Sequence, residues 1–301
     1  MIVVAIAELD ELLAERPALP PLLRVFLARA RLRALDESAW LAQLVTGRAV
    51  PPAPLTRLLD APSDCRGSWL RADPVDLLPD LSAVWIRPGG HLAPDSPALS
   101  ELREMFAAEG LVFDLPVPER GYLRLDALPD ARFVPPSAVH GESLDYVLPS
   151  GTEARRWRRL LNEAQVVLHQ HARATASAHP GGLWFWGAGE LPGRGGIRCR
   201  VQTLVGSDPL LRALAVWLDL ELASNPQPSR PADASLVEWR PDPDLDAAAN
   251  LAALNEWLAP QWRRLRLGRL DALELAGRQR AWTLSSARSW RFWQRTPALS
   301  A

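Results

Sequence analysis

Apolar residues recur along this chain with two spacings, and glycines and prolines mark the changes from one to the other. Residues 1–7 include Ile2, Val3, Val4 and Ile6, a run that predicts a buried first strand. From Glu8 to Leu44 the spacing is helical, and Pro17, Pro20 and Pro21 interrupt it, which predicts two helices separated by a proline-set turn. A loop carrying Gly47, Pro51, Pro52 and Pro54 follows, and residues 68–72 and 82–86 read as short strands. Pro97, after Ser96, opens a helix that Gly110 closes, with proline in the first turn and glycine just past the last. Residues 111–115 and 121–125 form the next strand pair.

The clearest helix begins at Ser150, which has capping-box spacing to Glu153. Trp157, Leu160, Leu161, Ala164, Leu168 and His171 follow three-four spacing and define its packed stripe, while Arg155, Arg158, Arg159 and Asn162 lie on a solvated face. Further on, residues 235–239 read as a strand, Leu245 to Leu265 as a helix, and Ala272 to Leu284 as a hairpin turning near Gly277. The order of strands and helices predicts an α/β protein with a mixed β-sheet flanked by helices, an α+β arrangement being the alternative. The organisation expected is an N-terminal strand and helices over 1–60 and a central α/β domain over 61–225. A proline-rich linker or loop over 226–235 and a strand-helix-hairpin segment over 236–301, packed on the same core, complete it.

Composition narrows the chemistry. The 301 residues carry 34 arginines and no lysine against 35 acidic residues, so every fixed side-chain cation is a guanidinium. Schiff-base catalysis, lysine-held pyridoxal cofactors and a lysine-dependent phosphate loop are thereby excluded. Apolar residues make up 48%, enough for a full core, and no apolar run reaches the 18 or so residues of a membrane span. The N-terminus lacks a basic region and meets Glu8, Asp10 and Glu11 at once, unlike a signal peptide. Cys65 and Cys199 stand far apart without metal-knuckle spacing, which fits a reducing cytoplasm.

The five histidines are His91, His140, His169, His171 and His179, and none follows position 179. His169 and His171 have the spacing of a strand-borne metal pair, but on a helix residues two apart diverge by about 200°. No metal site is expected, no GxSxG elbow is present, and no residue is assigned a catalytic role. The most unusual stretch is Leu183 to Gly196, an aromatic strand running into a glycine-rich loop. Backbone amides at Gly187 and Gly189, beside Trp186 and the guanidinium groups of Arg194, Arg198 and Arg200, form a candidate anion pocket. A buried strand followed by a tight turn is the plainer alternative. The last 42 residues carry nine arginines against Asp271 and Glu274, a net +7, while the remainder carries −8. Such a tail, interleaved with Trp262, Trp282, Trp290 and Trp293, could hold nucleic acid, but pairing with the chain's own acidic residues is the favoured reading.

Several motifs together resemble the RpfE-type regulatory proteins of proteobacteria. They are Trp69 to Val75, Asn162-Glu163-Ala164-Gln165 with Leu168-His169, Leu183 to Pro192, and Trp290-Arg291-Phe292-Trp293. Arg71, Asp73 and His169, which lie within them, are further candidate ligand residues. The family is often labelled phosphoglycerate-mutase-like, and Leu183 to Pro192 and Val205 to Leu214 look like part of a cofactor-independent phosphoglycerate mutase. That resemblance implies an α/β scaffold related to alkaline phosphatases. The catalytic parts are missing: Glu8 and Asp10 stand without the glycine of an Asp-Gly metal motif, and no late Asp-His pair exists. Gly181-Gly182 stand where the family usually has Asn-Ser.

A well-patterned core without a complete catalytic constellation predicts a cytoplasmic, non-enzymatic regulatory or interaction protein, and the resemblance implies that it controls pathogenicity factors through a diffusible-signal system. It would need no cofactor and would have a protein partner. The alternatives are a phosphomutase-like enzyme or phosphatase acting on a small phosphorylated metabolite, with Arg194 as anion clamp, and nucleic-acid binding by the basic C-terminus.

Overall fold

The structure is a computed structural model that describes residues 1–15, 18–79, 84–139, 147–175, 180–223 and 231–290. It divides into two compact units, Met1–Ala49 together with Arg194–Ala301, and Val50–Gly193.

The first segment runs through β1 (Ile2–Ala5), α1 (Leu9–Ala14), α2 (Pro21–Arg29), β2 (Arg31–Ala34) and α3 (Trp40–Thr46). The Val50–Gly193 unit contains α4 (Pro52–Asp60), β3 (Ser68–Pro79), β4 (Val84–Pro88), α5 (Pro97–Ala108), β5 (Val112–Val117), β6 (Arg120–Leu125), α6 (Ala154–Thr175) and β7 (Gly182–Glu190). Returning to the first unit, the chain forms β8 (Thr203–Val205), α7 (Pro209–Leu218), β9 (Glu221–Ala223) and β10 (Ser235–Glu238). It ends on α8 (Ala247–Arg266), β11 (Ala272–Ala276), β12 (Arg280–Ser285) and α9 (Ser286–Ser289).

The unit formed by the two chain ends holds a mixed sheet in the order β2-β12-β11-β1-β10-β8-β9. The five strands from β11 to β9 are parallel, and β12 and β2 add an antiparallel edge. All four residues of β1 are fully buried, as a central parallel strand covered on both faces requires. Ile2, Val4 and Ile6 pack with Phe26 of α2 and with Leu251, Leu254 and Leu258 of α8. Asp246 caps α8 by accepting the Ala249 amide at 2.7 Å.

One polar group lies within this sheet. Glu274 of β11, beside Val3 of β1, has no exposed surface. It accepts from Arg200 (2.8 Å), Arg33 (2.8 Å) and Thr283 (2.7 Å). Burial alone would raise its pKa, but the Arg200 hydrogen bond and charge, with Thr283 and Arg33, outweigh burial and hold it below the ordinary carboxylate value.

The Val50–Gly193 unit is built on an antiparallel sheet. The twelve-residue β3 pairs along one edge with β7 and along the other first with β6 and then with β4, and β5 extends beyond β6. Helices α5 and α6 cover one face, where Trp157, Leu160, Leu161, Ala164 and Leu168 are buried with Leu70, Leu123 and Phe185. The expected α6 stripe is therefore the packed one. The opposite face buries Trp69 and Tyr122 against Ala53 of α4.

Several local expectations give way to tertiary constraints. The stretch predicted as helical up to Leu44 contains the edge strand β2, which pairs with β12 and sends Arg33 to Glu274. The capping box at Ser150 does not form: Ser150 makes a bridge to Arg132, Glu153 accepts the Asp130 amide, and the helix starts at Ala154. His171, expected on the packed stripe, keeps 21% of its side chain exposed and bonds Glu101 at 2.7 Å. The proline-rich stretch at 224–230, residues 82–83, His140, His179 and residues 291–301 lie outside the described residues. Among the described residues, no helix is long and apolar enough to cross a membrane.

The Glu274 cluster yields a prediction with a definite sign. A carboxylate whose folded pKa is lowered contributes stability above its unfolded value, about 4.3 for glutamate. That contribution disappears as the pH falls through the lowered folded value. Glu274→Gln is expected to lose about 3 kcal/mol at pH 7, near the lower end for breaking a buried ion pair because Arg33 and Arg200 are partly solvated. It should also flatten the acid limb of the stability curve, measured by urea denaturation between pH 3 and pH 7.

Candidate functional site

In the parallel sheet, β8 continues through α7 to β9 on one side, whereas β10 continues through α8 to β11 on the other. Connections that diverge in this way open a crevice beyond the carboxyl ends of the strands, where ligands of open α/β sheets bind. A cavity of about 450 Å³ lies there. Trp40, Leu41, Leu211 and Trp239 give it apolar walls, and Glu8, Asp208, Glu238, Arg240 and Arg278 give it charge.

Glu238, the last residue of β10, organises this end of the sheet. Its Oε2 accepts the backbone amides of Ser207 (2.7 Å) and Asp208 (3.1 Å) at the entrance to α7. Its Oε1 accepts from Arg240 at 2.6 Å. The approach depends on Gly206, whose φ is +154° and whose missing Cβ would stand 2.4 Å from Oε2. Asp208 caps α7 through the Leu210 amide at 2.7 Å, and Pro209 opens the helix. Burial first, and then the neighbouring Glu238 charge, raise the Asp208 carboxyl above its ordinary value, against the helix amides that lower it.

The walls place cations beside the glutamate. Arg240 keeps 58% of its side chain exposed while it bonds Glu238. Arg278, in the turn between β11 and β12, donates to the Ala7 carbonyl at 3.0 Å and lies 3.5 Å from Glu11 and 3.8 Å from Glu8. Trp40 and Trp239, both nearly fully buried, line the cavity.

This donor set does not fit a two-metal phosphomutase centre. Glu238 is committed to two amides and a guanidinium, Asp208 to a helix cap, and the sequence of this unit contains no histidine. Among the described residues, no group of three or more His, Cys, Asp or Glu side chains could hold a metal ion.

The residues nominated from sequence fall in both units. Trp186, Gly187 and Gly189 lie on β7, in the Val50–Gly193 unit; Arg194, Arg198 and Arg200 belong to the other. The strand extends through Gly187 and Gly189, where the missing side chains admit α4 and the residue before it: a Cβ on Gly189 would meet Pro51 at 2.3 Å and one on Gly187 would meet Pro52 at 3.2 Å. Arg200 is bound to Glu274, Arg194 is exposed and donates to the Val216 carbonyl at 3.5 Å, and Arg198 is exposed. His169 is exposed on α6. Arg71, Asp73 and Trp186 do meet. Arg71 grips both Asp73 oxygens at 2.7 and 2.8 Å, and the Trp186 indole donates to Asp73 at 2.6 Å.

That trio is a buried polar centre of the sheet, with Thr56 accepting from Arg71 at 3.0 Å. Burial pushes the Asp73 carboxyl up, against the Arg71 charge and hydrogen bonds. Nearby, Arg120 grips both oxygens of Asp60 and Tyr122 donates to it at 2.5 Å, so that Asp60 is held below its ordinary value despite burial, while burial raises the Tyr122 phenol. Much of the basic C-terminal segment also has partners within its own unit: Arg264 pairs with Asp233, Arg280 with Asp10, and Arg288 donates to the Arg29 carbonyl.

Glu238, Arg240 and Arg278 are not among the residues the sequence singles out. One local sign of this site exists: Gly206-Ser207-Asp208-Pro209 after a short strand reads as a glycine, a capping aspartate and a first-turn proline ahead of an apolar helix. Gly206→Ala is expected to cost about 1–3 kcal/mol, since its Cβ would have to displace Glu238 or the α7 entrance. Gly193→Ala, with open space around its Cβ position, should leave stability within about 0.5 kcal/mol. Paired urea denaturation curves check both.

No family model matches the chain, and no curated protein matches it. Several solved structures are similar to the chain, two of them over nearly its whole length. One is a cofactor-independent phosphoglycerate mutase from Thermoplasma acidophilum DSM 1728, with 14% identity, coverage of 99% of this chain and 93% of that one, and a TM-score of 0.44. The other is the PH0037 protein from Pyrococcus horikoshii, with 11% identity, coverage of 94% and 87%, and a TM-score of 0.43.

Proposed function

We propose that the protein binds a small anionic metabolite in the strand-end crevice and acts as a regulatory interaction protein without catalysing a reaction. The observation that carries this reading is the chemistry of the crevice: the cations that line it are guanidinium groups. Arg240 and Arg278 can pair with a carboxylate or phosphate through their planar forks, but guanidinium groups do not give up protons near neutral pH. The whole chain lacks lysine, and this unit lacks histidine. Asp208, the acid with a raised pKa, has its carboxylate engaged by the start of α7. A volume of about 450 Å³ suits a small metabolite held against Leu41, Leu211 and the two tryptophans.

Glu238 already occupies the amides and guanidinium that would receive an anion, so a ligand of like charge competes with it. Exchange of one carboxylate for another is a reversible event at the entrance to α7, which is what a sensing protein requires. The resemblance of the motifs to RpfE-type proteins supports the finer reading: a cytoplasmic regulator of pathogenicity factors, linked to a diffusible-signal system and acting on a protein partner.

Thermal denaturation in 3-phosphoglycerate, inorganic phosphate and succinate tests the binding. A ligand at a hundred times its Kd adds about 2.7 kcal/mol of stability, a rise of several degrees. That rise is expected with at least one of these anions and should vanish in the Arg240→Ala/Arg278→Ala double variant. Absence of any shift at millimolar anion would overturn the binding reading. Chelator-sensitive release of phosphate from 3-phosphoglycerate or p-nitrophenyl phosphate would overturn the non-catalytic one.

A further inference from the structure

The strand-end crevice carries more negative charge than positive. Among the described residues its lining sets three carboxylates, Glu8, Asp208 and Glu238, against two guanidinium groups, Arg240 and Arg278. Outside the lining, Glu11 lies 3.5 Å from Arg278, and Asp242 and Asp244 are exposed beside the lining prolines 241 and 243. Arg280 does not redress the balance, because Asp10 holds it at 2.8 Å. A purely anionic ligand is therefore attracted by two guanidinium groups and repelled by a larger number of carboxylates.

The three lining acids differ in how far they are committed. Glu238 uses both oxygens on the Ser207 and Asp208 amides and on Arg240, and Asp208 accepts the Leu210 amide. Glu8 stands just past β1 at the start of α1, where its carbonyl accepts the Leu12 amide at 2.9 Å and its side chain caps nothing. Among the described residues the Glu8 carboxylate accepts no hydrogen bond. Arg278 lies 3.8 Å from it, beyond hydrogen-bond length, and donates to the Ala7 carbonyl instead. Nearly half of the Glu8 side chain, 49%, remains exposed. An acceptor with unused capacity thus stands beside a cation that can take an anion.

We propose that the crevice takes a zwitterion, a small α-amino acid, free or phosphorylated, with its anionic end on Arg240 and Arg278 and its ammonium on Glu8. This inference rests on the anion-binding reading above and narrows it to a ligand class. The exchange step supplies the reason. An anion that takes the Ser207 and Asp208 amides and Arg240 from Glu238 leaves the Glu238 charge beside Asp208 and beside the anion itself. An ammonium on the same ligand provides the missing counter-charge, which a hydroxyl or a hydrogen at that position cannot. A simple cation would leave both guanidinium groups unused and meet them as like charges. In an α-amino acid the ammonium and the carboxylate share one carbon, a separation that matches the 3.8 Å between Glu8 and Arg278. Glu8 is then the specificity-determining residue of the crevice.

Isothermal titration of the full chain with ligand pairs of matched configuration tests this. L-Aspartate differs from L-malate, and O-phospho-L-serine from the L-enantiomer of 3-phosphoglycerate, by an ammonium in place of a hydroxyl. The ammonium-bearing member of each pair is expected to bind about tenfold more tightly, the effect of one charge-assisted hydrogen bond. Glu8→Gln should reduce that preference to about threefold or less, and Arg240→Ala/Arg278→Ala should abolish binding of both members. Because the preference is a ratio within one protein, impaired folding of the Glu8 variant would weaken both members together and could not level them. Equal affinities within both pairs, or tighter binding of the hydroxyl members, would overturn the zwitterion inference and leave the anion-binding reading standing. A tenfold preference that survives Glu8→Gln would overturn the role given to Glu8. Binding of none of the four would overturn the anion-binding reading and this inference with it.

Discussion

Glu238 accepts two backbone amides with one carboxylate oxygen and a guanidinium with the other, and that arrangement at the end of a parallel strand underlies the functional reading. It fixes the entrance of α7, demands glycine at position 206, and places a negative charge where the helix N-terminus and Arg240 favour one. The same bonds engage both oxygens of the side chain. Exchange of this internal anion for an external one is the simplest chemistry the crevice offers.

The absence of lysine gives the rest of the molecule a common device. Asp73 is gripped through two nitrogens by Arg71, Asp60 through two nitrogens by Arg120, and Glu274 by Arg200 with Arg33 beside it. A guanidinium satisfies both oxygens of a carboxylate in one plane, which an ammonium cannot do. Rings add to this in the Val50–Gly193 unit, where the Arg57 guanidinium lies 4.3 Å from the centre of the Trp69 ring and Arg71 lies 5.1 Å from that of Trp186. Such pairs hold charge inside a sheet but leave it unavailable to a ligand, as Arg200 illustrates.

What could be read from sequence was what depends on near neighbours. Pro97 and Gly110 delimit α5 because they act through local backbone geometry, and the Trp157 to Leu168 stripe packs because periodicity alone selects the buried face of α6. Edge strand β2 escaped because Arg31-Leu32-Arg33-Ala34 owes its conformation to β12, about 250 residues later. The capping box failed for a related reason: Glu153 found the Asp130 amide instead of its own helix. Parallel pairing of β1 with β10 and β11 spans more than 230 residues, and with it the crevice that assembles Glu8, Asp208, Glu238 and Arg278. Trp186, Arg71 and Asp73 were each legible as unusual residues, but their meeting was set by the register of β3 against β7.

The indole N–H signals of tryptophan report directly on the crevice, since Trp40 and Trp239 line it while Trp157 is buried in the other unit. Selective 15N labelling of tryptophan and titration with 3-phosphoglycerate or inorganic phosphate therefore tests the central claim. The account predicts saturable shifts of the Trp40 and Trp239 resonances, an unmoved Trp157, and loss of the shifts in Arg240→Ala/Arg278→Ala. Unchanged Trp40 and Trp239 signals at saturating anion, or shifts that persist in the double variant, would contradict it.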